Sequence, residues 1–113
     1  MEKGIFDRFA EKGLIKSADL PNRGLAGEER ARLNRKGNEL FNLGEVETAR
    51  RIFQTTGYSD GLIRVGNKYL EGRRPVDALK MYWLAHDRRR SDPLVEKAVL
   101  AVRMLLEQEV INE

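Results

Sequence analysis

Apolar residues recur every three or four positions along most of the chain, which is the spacing of amphipathic helices. From residue 28 to residue 111, these apolar faces are interrupted at Gly44, Gly57, Gly72 and residues 91–93. No stretch of useful length alternates apolar and polar residues as a half-buried strand would. The pattern therefore predicts an all-α protein made of two antiparallel helical hairpins and a closing helix.

Each of the four hairpin helices is expected to bury one apolar face. In chain order, these faces contain Leu33, Gly37, Leu40 and Phe41; Val46, Ala49, Ile52 and Phe53; Leu62, Val65, Gly66, Tyr69 and Leu70; and Ala78, Met81, Tyr82 and Ala85. The closing helix, at about residues 93–111, is expected to cover the last open face. Its apolar residues are Val95, Val99, Leu100, Val102, Leu105 and Leu106.

Particular residues at the helix ends predict how the helices begin and stop. Ser59 is expected to cap the third helix, because a serine oxygen can accept a backbone hydrogen bond there. Pro75 is expected to open the fourth helix, where its missing N–H costs nothing. His86 and the arginines at 88–90 are expected at the carboxyl end of the fourth helix, where positive charge is favourable.

The first 26 residues differ from the rest and are treated as a separate unit, residues 1–26, before a helical domain at residues 27–113. Residues 2–14 predict a short amphipathic helix that either docks on the core or forms a frayed arm. Charged residues interrupt it, so it does not resemble a signal peptide. Its polar face mixes both charge signs, which disfavours a membrane-surface helix. Residues 17–27 predict a loop.

A four-residue sequence motif, Arg-x-Gly-Asn, begins at Arg35 and again at Arg64, 29 residues later. The same offset also aligns residues in both helices of each hairpin. The aligned pairs are Gly37 with Gly66, Asn38 with Asn67, Leu40 with Tyr69, Phe41 with Leu70, Ala49 with Ala78, and Phe53 with Tyr82. Such self-similarity predicts a helical repeat array, in which each hairpin stacks on the next because it cannot bury its apolar faces alone.

This pattern resembles the tetratricopeptide repeat, over roughly residues 28–90. The residues that carry the resemblance are Gly37, Leu40, Gly44, Ala49 and Phe53 in the first copy, and Gly66, Tyr69, Ala78, Tyr82 and Ala85 in the second. The final helix resembles the capping helix of such arrays. The period here is 29 residues, whereas that of the family is about 34.

The resemblance implies a groove, lined by the first helices of the hairpins, that binds a peptide segment of another protein. A carboxamide offers a donor and an acceptor together, so Asn38 and Asn67 are candidates to hold a peptide backbone. Arginines one turn earlier are candidates to pair with a carboxylate. The full set of expected partner-binding residues is Asn34, Arg35, Asn38, Asn42, Arg64, Asn67 and Glu71.

The composition excludes several classes of function but does not indicate a specific activity. The chain has 113 residues, no cysteine, one histidine and a net charge of +3. We find no metal-ligand spacing, phosphate-binding glycine loop or nucleophile constellation, so we expect no enzyme activity, no metal and no cofactor. The absence of cysteine suits a cytoplasmic location.

The expected function is that of a non-catalytic adaptor or chaperone-like module that binds a protein or peptide partner, with homodimerisation possible. Two alternatives stay open at this point. One is a basic helical protein that contacts nucleic acid through Arg73, Arg74 and residues 88–90. The other is a structural subunit of a larger assembly that docks through its amino-terminal helix. Trp83 is either an exposed partner anchor or packed on the last helix.

Overall fold

The computed structural model describes residues 20–112, and this part of the chain contains helices and no strand. The helices are α1 (Gly27–Asn42), α2 (Val46–Thr56), α3 (Ser59–Glu71), α4 (Pro75–Leu84) and α5 (Arg88–Asn112). The predicted all-α class is thereby confirmed. The helix expected at residues 2–14 lies outside the described residues. No helix in the described part is both long enough and apolar enough to cross a membrane.

The helices pack in the order of the chain. α1 contacts α2 and α3 contacts α4, while α2 with α3 and α4 with α5 join the pairs into a stack. Three-residue turns, at residues 43–45 and 72–74, connect the helices within each pair. Such short connections make the paired helices antiparallel, as the hairpin prediction requires.

The turns within the two hairpins, and the connections that follow them, share positive φ angles at the 29-residue offset. Gly44 and Arg73 both have positive φ, at 87° and 58°, and so do Gly57 and His86, at 72° and 58°. Hydrogen bonds across the turns repeat too: Glu45 N to Leu40 O and Arg74 N to Tyr69 O are each 2.8 Å. The repeated sequence therefore encodes a repeated backbone.

The repeated glycines make room for aromatic rings. A Cβ atom added to Gly37 would lie 2.6 Å from Cε1 of Phe53, and one added to Gly66 would lie 2.6 Å from Cε1 of Tyr82. Both rings are almost completely buried. Gly61 meets the same Phe53 ring from α3. Each glycine therefore lets a ring from the second helix lie directly against the backbone of the first.

The buried core lies between α2, α3 and α4. It consists of Ala49, Phe53, Leu62, Val65, Tyr69, Ala78, Met81, Tyr82, Leu84 and Ala85. Most of these residues belong to the predicted apolar faces. Leu84 is the one core residue in this set that was not assigned to a predicted face. Leu70 was assigned to such a face, but 40% of its surface is exposed. Burying apolar surface of this kind stabilises by about 25 cal/mol per Å².

The starts of α3 and α5 differ from the sequence-based expectation. Tyr58, not Ser59, is the N-cap of α3, and no side chain caps that end. α5 begins at Arg88 instead of about 93, and Pro93 lies inside it. The reason is Asp87, whose Oδ1 accepts a hydrogen bond of 3.2 Å from Arg90 N and so starts the helix early.

This early start also corrects the placement of the arginines at 88–90. They form the first turn of α5 rather than the carboxyl end of α4. A helix start disfavours positive charge, and the carboxylate of Asp87, 2.5 Å from Arg90 Nη1, compensates in part. His86 lies just beyond α4, in the turn.

α5 covers the end of the array with its first turns and then continues past it. Ser91 is 1% exposed, and Leu94 packs against the core. From residue 96 to residue 109 every residue is exposed. The expected burial of Val99, Leu100 and Val102 is therefore wrong, and so is that of Leu105 and Leu106. The reason is length: with ten residues against 25, α4 is about 15 Å long and α5 about 37 Å.

Candidate functional site

An open groove of about 690 Å³ runs across the first helices of the hairpins and the start of α5. Its lining residues are Asn38 from α1, Asp60, Ile63, Arg64 and Asn67 from α3, Tyr58 from the preceding turn, and Arg90 from α5. Three of the seven residues expected from the sequence, Asn38, Arg64 and Asn67, thus come together in one place.

Arg64 and Asn38 join α3 to α1 on the wall of the groove. Arg64 donates a hydrogen bond from Nη2 to Oδ1 of Asn38. Its guanidinium lies over two rings, 5.3 Å from the centroid of Phe41 and 5.8 Å from that of Phe53. Cation–π contacts of this kind hold a charged group in position. The Arg64 charge is therefore fixed at the groove rather than swinging in solvent.

Asn67 is held by a different donor. The hydroxyl of Tyr82, from α4, donates a hydrogen bond of 2.6 Å to Oδ1 of Asn67. Burial raises the pKa of that hydroxyl above its ordinary value, so it stays protonated and continues to donate at neutral pH. The aromatic ring that packs on Gly66 thus also orients the neighbouring groove residue.

These two hydrogen bonds change what the carboxamides can offer a ligand. The Oδ1 atoms of Asn38 and Asn67 already accept from Arg64 and Tyr82. Their Nδ2 groups donate to no other residue in the described part of the chain. A carboxamide nitrogen carries two donors. The pair is therefore arranged chiefly to donate hydrogen bonds to acceptors in the groove.

The charged lining of the groove has a positive excess. Arg64 and Arg90 face one acidic residue, Asp60. Arg90 also pairs with Asp87 outside the lining. Burial acts to raise the pKa of Asp87, but its hydrogen bonds from Arg90 outweigh burial and hold that pKa below its ordinary value. Asp87 is thus ionised at neutral pH and steadies Arg90 beside the groove.

The other four expected site residues do not line the groove. Asn34 accepts a hydrogen bond of 2.6 Å from the hydroxyl of Thr56, which ties α1 to the end of α2. Arg35 and Asn42 are exposed on α1. Glu71 is exposed and pairs with Lys68 at 3.5 Å. The expectation that Asn34 and Asn42 extend a stripe from Asn38 is not supported by their positions.

Four lining residues were not predicted from the sequence. Asp60 and Ile63 lie seven and four positions before Asn67, on the same face of α3, so helical spacing contained the signal needed to find them. Tyr58 and Arg90 had no such signal. Tyr58 lies in a turn, and Arg90 reaches the groove because α5 begins five residues earlier than expected.

A second polar cluster, away from the groove lining, joins α2, α3 and the turn before α4. The Tyr69 hydroxyl donates a hydrogen bond of 2.6 Å to Glu47, and Arg74 lies 3.6 Å from the same carboxylate. Burial tends to raise the pKa of Glu47, but the Tyr69 hydrogen bond and the nearby arginines keep it below its ordinary value. Arg74, one of the predicted nucleic-acid contacts, is thus paired with a carboxylate of this cluster.

The start of α5 also borders a smaller cavity of about 230 Å³. Trp83, His86 and Asp87 line it together with Arg88 and Ser91. Trp83 is half-buried and packs against the core, so it is not a fully exposed anchor. Within residues 20–112, no group of three His, Cys, Asp or Glu side chains is placed to hold a metal ion.

Comparison with known proteins identifies a relative that is similar over most of both chains. An uncharacterized protein from Treponema pallidum (strain Nichols) is 36% identical over 92 residues, which cover 81% of this chain and 88% of the relative. No family model matches the chain. No solved structure matches it either. At this level of identity and coverage, the chain belongs to the same family as this uncharacterized treponemal protein.

Proposed function

We propose that this protein is a non-catalytic interaction module, an adaptor or chaperone-like domain of the tetratricopeptide type, that binds a peptide segment of a partner protein. The observation that carries the proposal is the groove, where α1, α3 and α5 bring Asn38, Arg64, Asn67 and Arg90 to one open surface. Open, polar surfaces lined by fixed hydrogen-bond donors suit extended peptides. The lack of cysteine accords with a cytoplasmic module.

The repeated geometry supports assignment to the tetratricopeptide type. Both hairpins place a glycine on the first helix against an aromatic ring on the second, and both carry a fully buried alanine, Ala49 or Ala78. α5 occupies the position of a third first helix, since Arg88 follows Ser59 by 29 residues. The groove residues therefore lie on successive first helices, as a peptide-binding array requires.

The ligand chemistry follows from the donors. The Nδ2 groups of Asn38 and Asn67 match backbone carbonyl oxygens, which recur along an extended peptide. Arg64 and Arg90 add positive charge, which favours an acidic side chain in the bound segment. Ile63 and Tyr58 offer apolar surface for one neighbouring side chain. The expected ligand is therefore a short extended peptide with at least one acidic residue.

A displayed library of short random peptides, selected against the full chain, tests the proposal. We expect enrichment of acidic peptides, and a synthetic copy of an enriched peptide should shift the side-chain amide NMR signals of Asn38 and Asn67. The double variant Asn38→Asp/Asn67→Asp keeps the acceptor oxygens for Arg64 and Tyr82 but removes the donors. Binding should fall by roughly a hundredfold, about 2.7 kcal/mol.

A charge-matched control separates lost donors from added charge. Asn42→Asp/Gln108→Glu adds the same two negative charges at exposed positions outside the groove. It should leave peptide affinity almost unchanged. Equal loss in both variants, or no enriched peptide at all, would contradict the groove proposal. Tight binding of an RNA or DNA oligonucleotide with steep salt dependence would favour nucleic-acid contact instead.

A further inference from the structure

The exposed part of α5 is too apolar to face water alone. Between residues 99 and 106 it exposes Val99, Leu100, Val102, Met104, Leu105 and Leu106, each by 40% to 62% of its surface. Helices of globular proteins that are apolar over most of their circumference are normally buried, and contiguous exposed patches of this kind mark interaction sites. This feature is separate from the groove and from the function proposed for it.

One side of this helix carries a continuous row of branched side chains. Val95, Val99, Val102 and Leu106 follow one another at intervals of four, three and four residues. We call this row the α5 stripe. Such spacing keeps a seam on one side of a helix and fits knobs-into-holes packing against a second helix. Val95 is half-buried, whereas the other three are exposed, so the stripe continues outward from the covered part of α5.

Charged residues along the edge of the α5 stripe indicate which helix packs against it. Glu96 and Arg103 are seven residues apart, so both flank the stripe on the same edge. Within the described residues neither forms an ion pair. A two-fold axis between Val99 and Val102 would bring like edges of two antiparallel helices together. Glu96 of each copy then faces Arg103 of the other, while Val99 packs against Val102.

We propose that the α5 stripe pairs with the same stripe of a second copy of this chain, forming an antiparallel homodimer. The pattern is complementary to itself in this one direction. A parallel pair would instead place the Glu96 edge against the opposite edge of the partner helix, where Ala98 and Leu105 lie. A dimer would carry two of the proposed peptide-binding grooves. Two grooves raise avidity for a partner that has two copies of the bound peptide segment.

Sedimentation equilibrium of the full 113-residue chain tests the dimer. We expect a concentration-dependent dimer for the wild type. For Val102→Glu, the dimer should be at least about a hundredfold weaker, because the new glutamate would be buried against the partner's stripe. Val76→Glu makes the same change at a position on α4 that is 65% exposed, and it should dimerise like wild type. Circular dichroism checks that the variants keep their helicity.

A charge exchange tests the direction of the pair. Glu96→Arg or Arg103→Glu alone places like charges together at two symmetric points and should weaken the dimer about tenfold. The double variant Glu96→Arg/Arg103→Glu should restore it. A monomeric wild type, equal loss in Val76→Glu and Val102→Glu, or no rescue by the double exchange would each overturn the proposal.

Discussion

The two hairpins use the same backbone but hold their groove asparagines in different ways. In the second hairpin, the Tyr82 hydroxyl donates to Asn67 of the same hairpin. In the first, the equivalent aromatic residue is Phe53, which has no hydroxyl, and Asn38 instead accepts from Arg64 of the next hairpin. The groove therefore combines one contact within a repeat and one between repeats, which couples its shape to the stacking of the hairpins.

The surroundings of the buried Phe53 and Tyr82 rings also differ between the two hairpins. Phe53 lies between Gly37 of its own hairpin and Gly61 of the next. Tyr82 has Gly66 on one side, but the position equivalent to Gly61 is Arg90, 29 residues later. The first hairpin thus has its ring enclosed between two backbones, whereas the second has its ring beside a charged side chain at the groove. The difference indicates that a substitution beside Phe53 lowers the free energy of unfolding more than one beside Tyr82.

The largest expected effect comes from filling the space around Phe53. In Gly61→Ala, the new Cβ would lie 2.6 Å from both Cγ and Cδ1 of that ring. Cγ is the root of the ring and cannot swing away, so the free energy of unfolding should fall by about 3 kcal/mol. Gly66→Ala meets the outer edge of Tyr82, at Cε1, and should cost about 2 kcal/mol. Urea denaturation measures both.

Gly27→Ala is the matched control for these alanine substitutions. A Cβ at Gly27 meets nothing within 4 Å, so the free energy of unfolding should change by no more than about 1 kcal/mol, toward greater stability. If Gly66→Ala destabilised the protein more than Gly61→Ala, the proposed difference between the Phe53 and Tyr82 rings would be wrong.

A smaller effect is expected when Tyr82 is made like Phe53. Tyr82→Phe removes the hydrogen bond to Asn67, and because Asn67 is exposed and can turn to water, the free energy of unfolding should fall by about 1 kcal/mol or less. The Asn67 side-chain amide should become more mobile by NMR relaxation. Tyr58→Phe is the control, since the Tyr58 hydroxyl forms no hydrogen bond with any described residue. Equal effects would argue against a specific role for the Tyr82 hydroxyl.

The smallest effect is expected for Arg73→Gly, in the turn of the second hairpin. Arg73 has the positive φ of its counterpart Gly44 but carries a side chain, and this conformation is strained for residues other than glycine. Arg73→Gly should therefore raise the free energy of unfolding by about 0.5 kcal/mol, after the entropy cost of glycine. Gly44→Ala should lower it by about 1 kcal/mol. A loss of stability in Arg73→Gly, measured by urea denaturation, would show that the two turns are not equivalent.

Much of the fold could be predicted because its signals are local or repeated. Helical spacing located the four hairpin helices, and the 29-residue offset identified the equivalent residues Gly37 and Gly66. The site was predictable in part. The repeated Arg-x-Gly-Asn motif indicated Asn38, Arg64 and Asn67, which do line the groove. Asn34 and Glu71 lie outside the groove lining and bond to Thr56 and Lys68, because helical proximity to a groove residue does not fix which neighbour a side chain bonds.

By itself, the sequence determined the all-α class, the repeat and the positions that must be glycine, since these depend on periodicity and on the size of a side chain. The tertiary structure decided which donor holds each asparagine, because Tyr82 reaches Asn67 from another helix. It also decided where α5 begins and that its far half is uncovered. Burial depends on whether a neighbouring helix is long enough to reach a residue, and α4 ends at Leu84, too short to cover the apolar residues that the pattern assigned to a core.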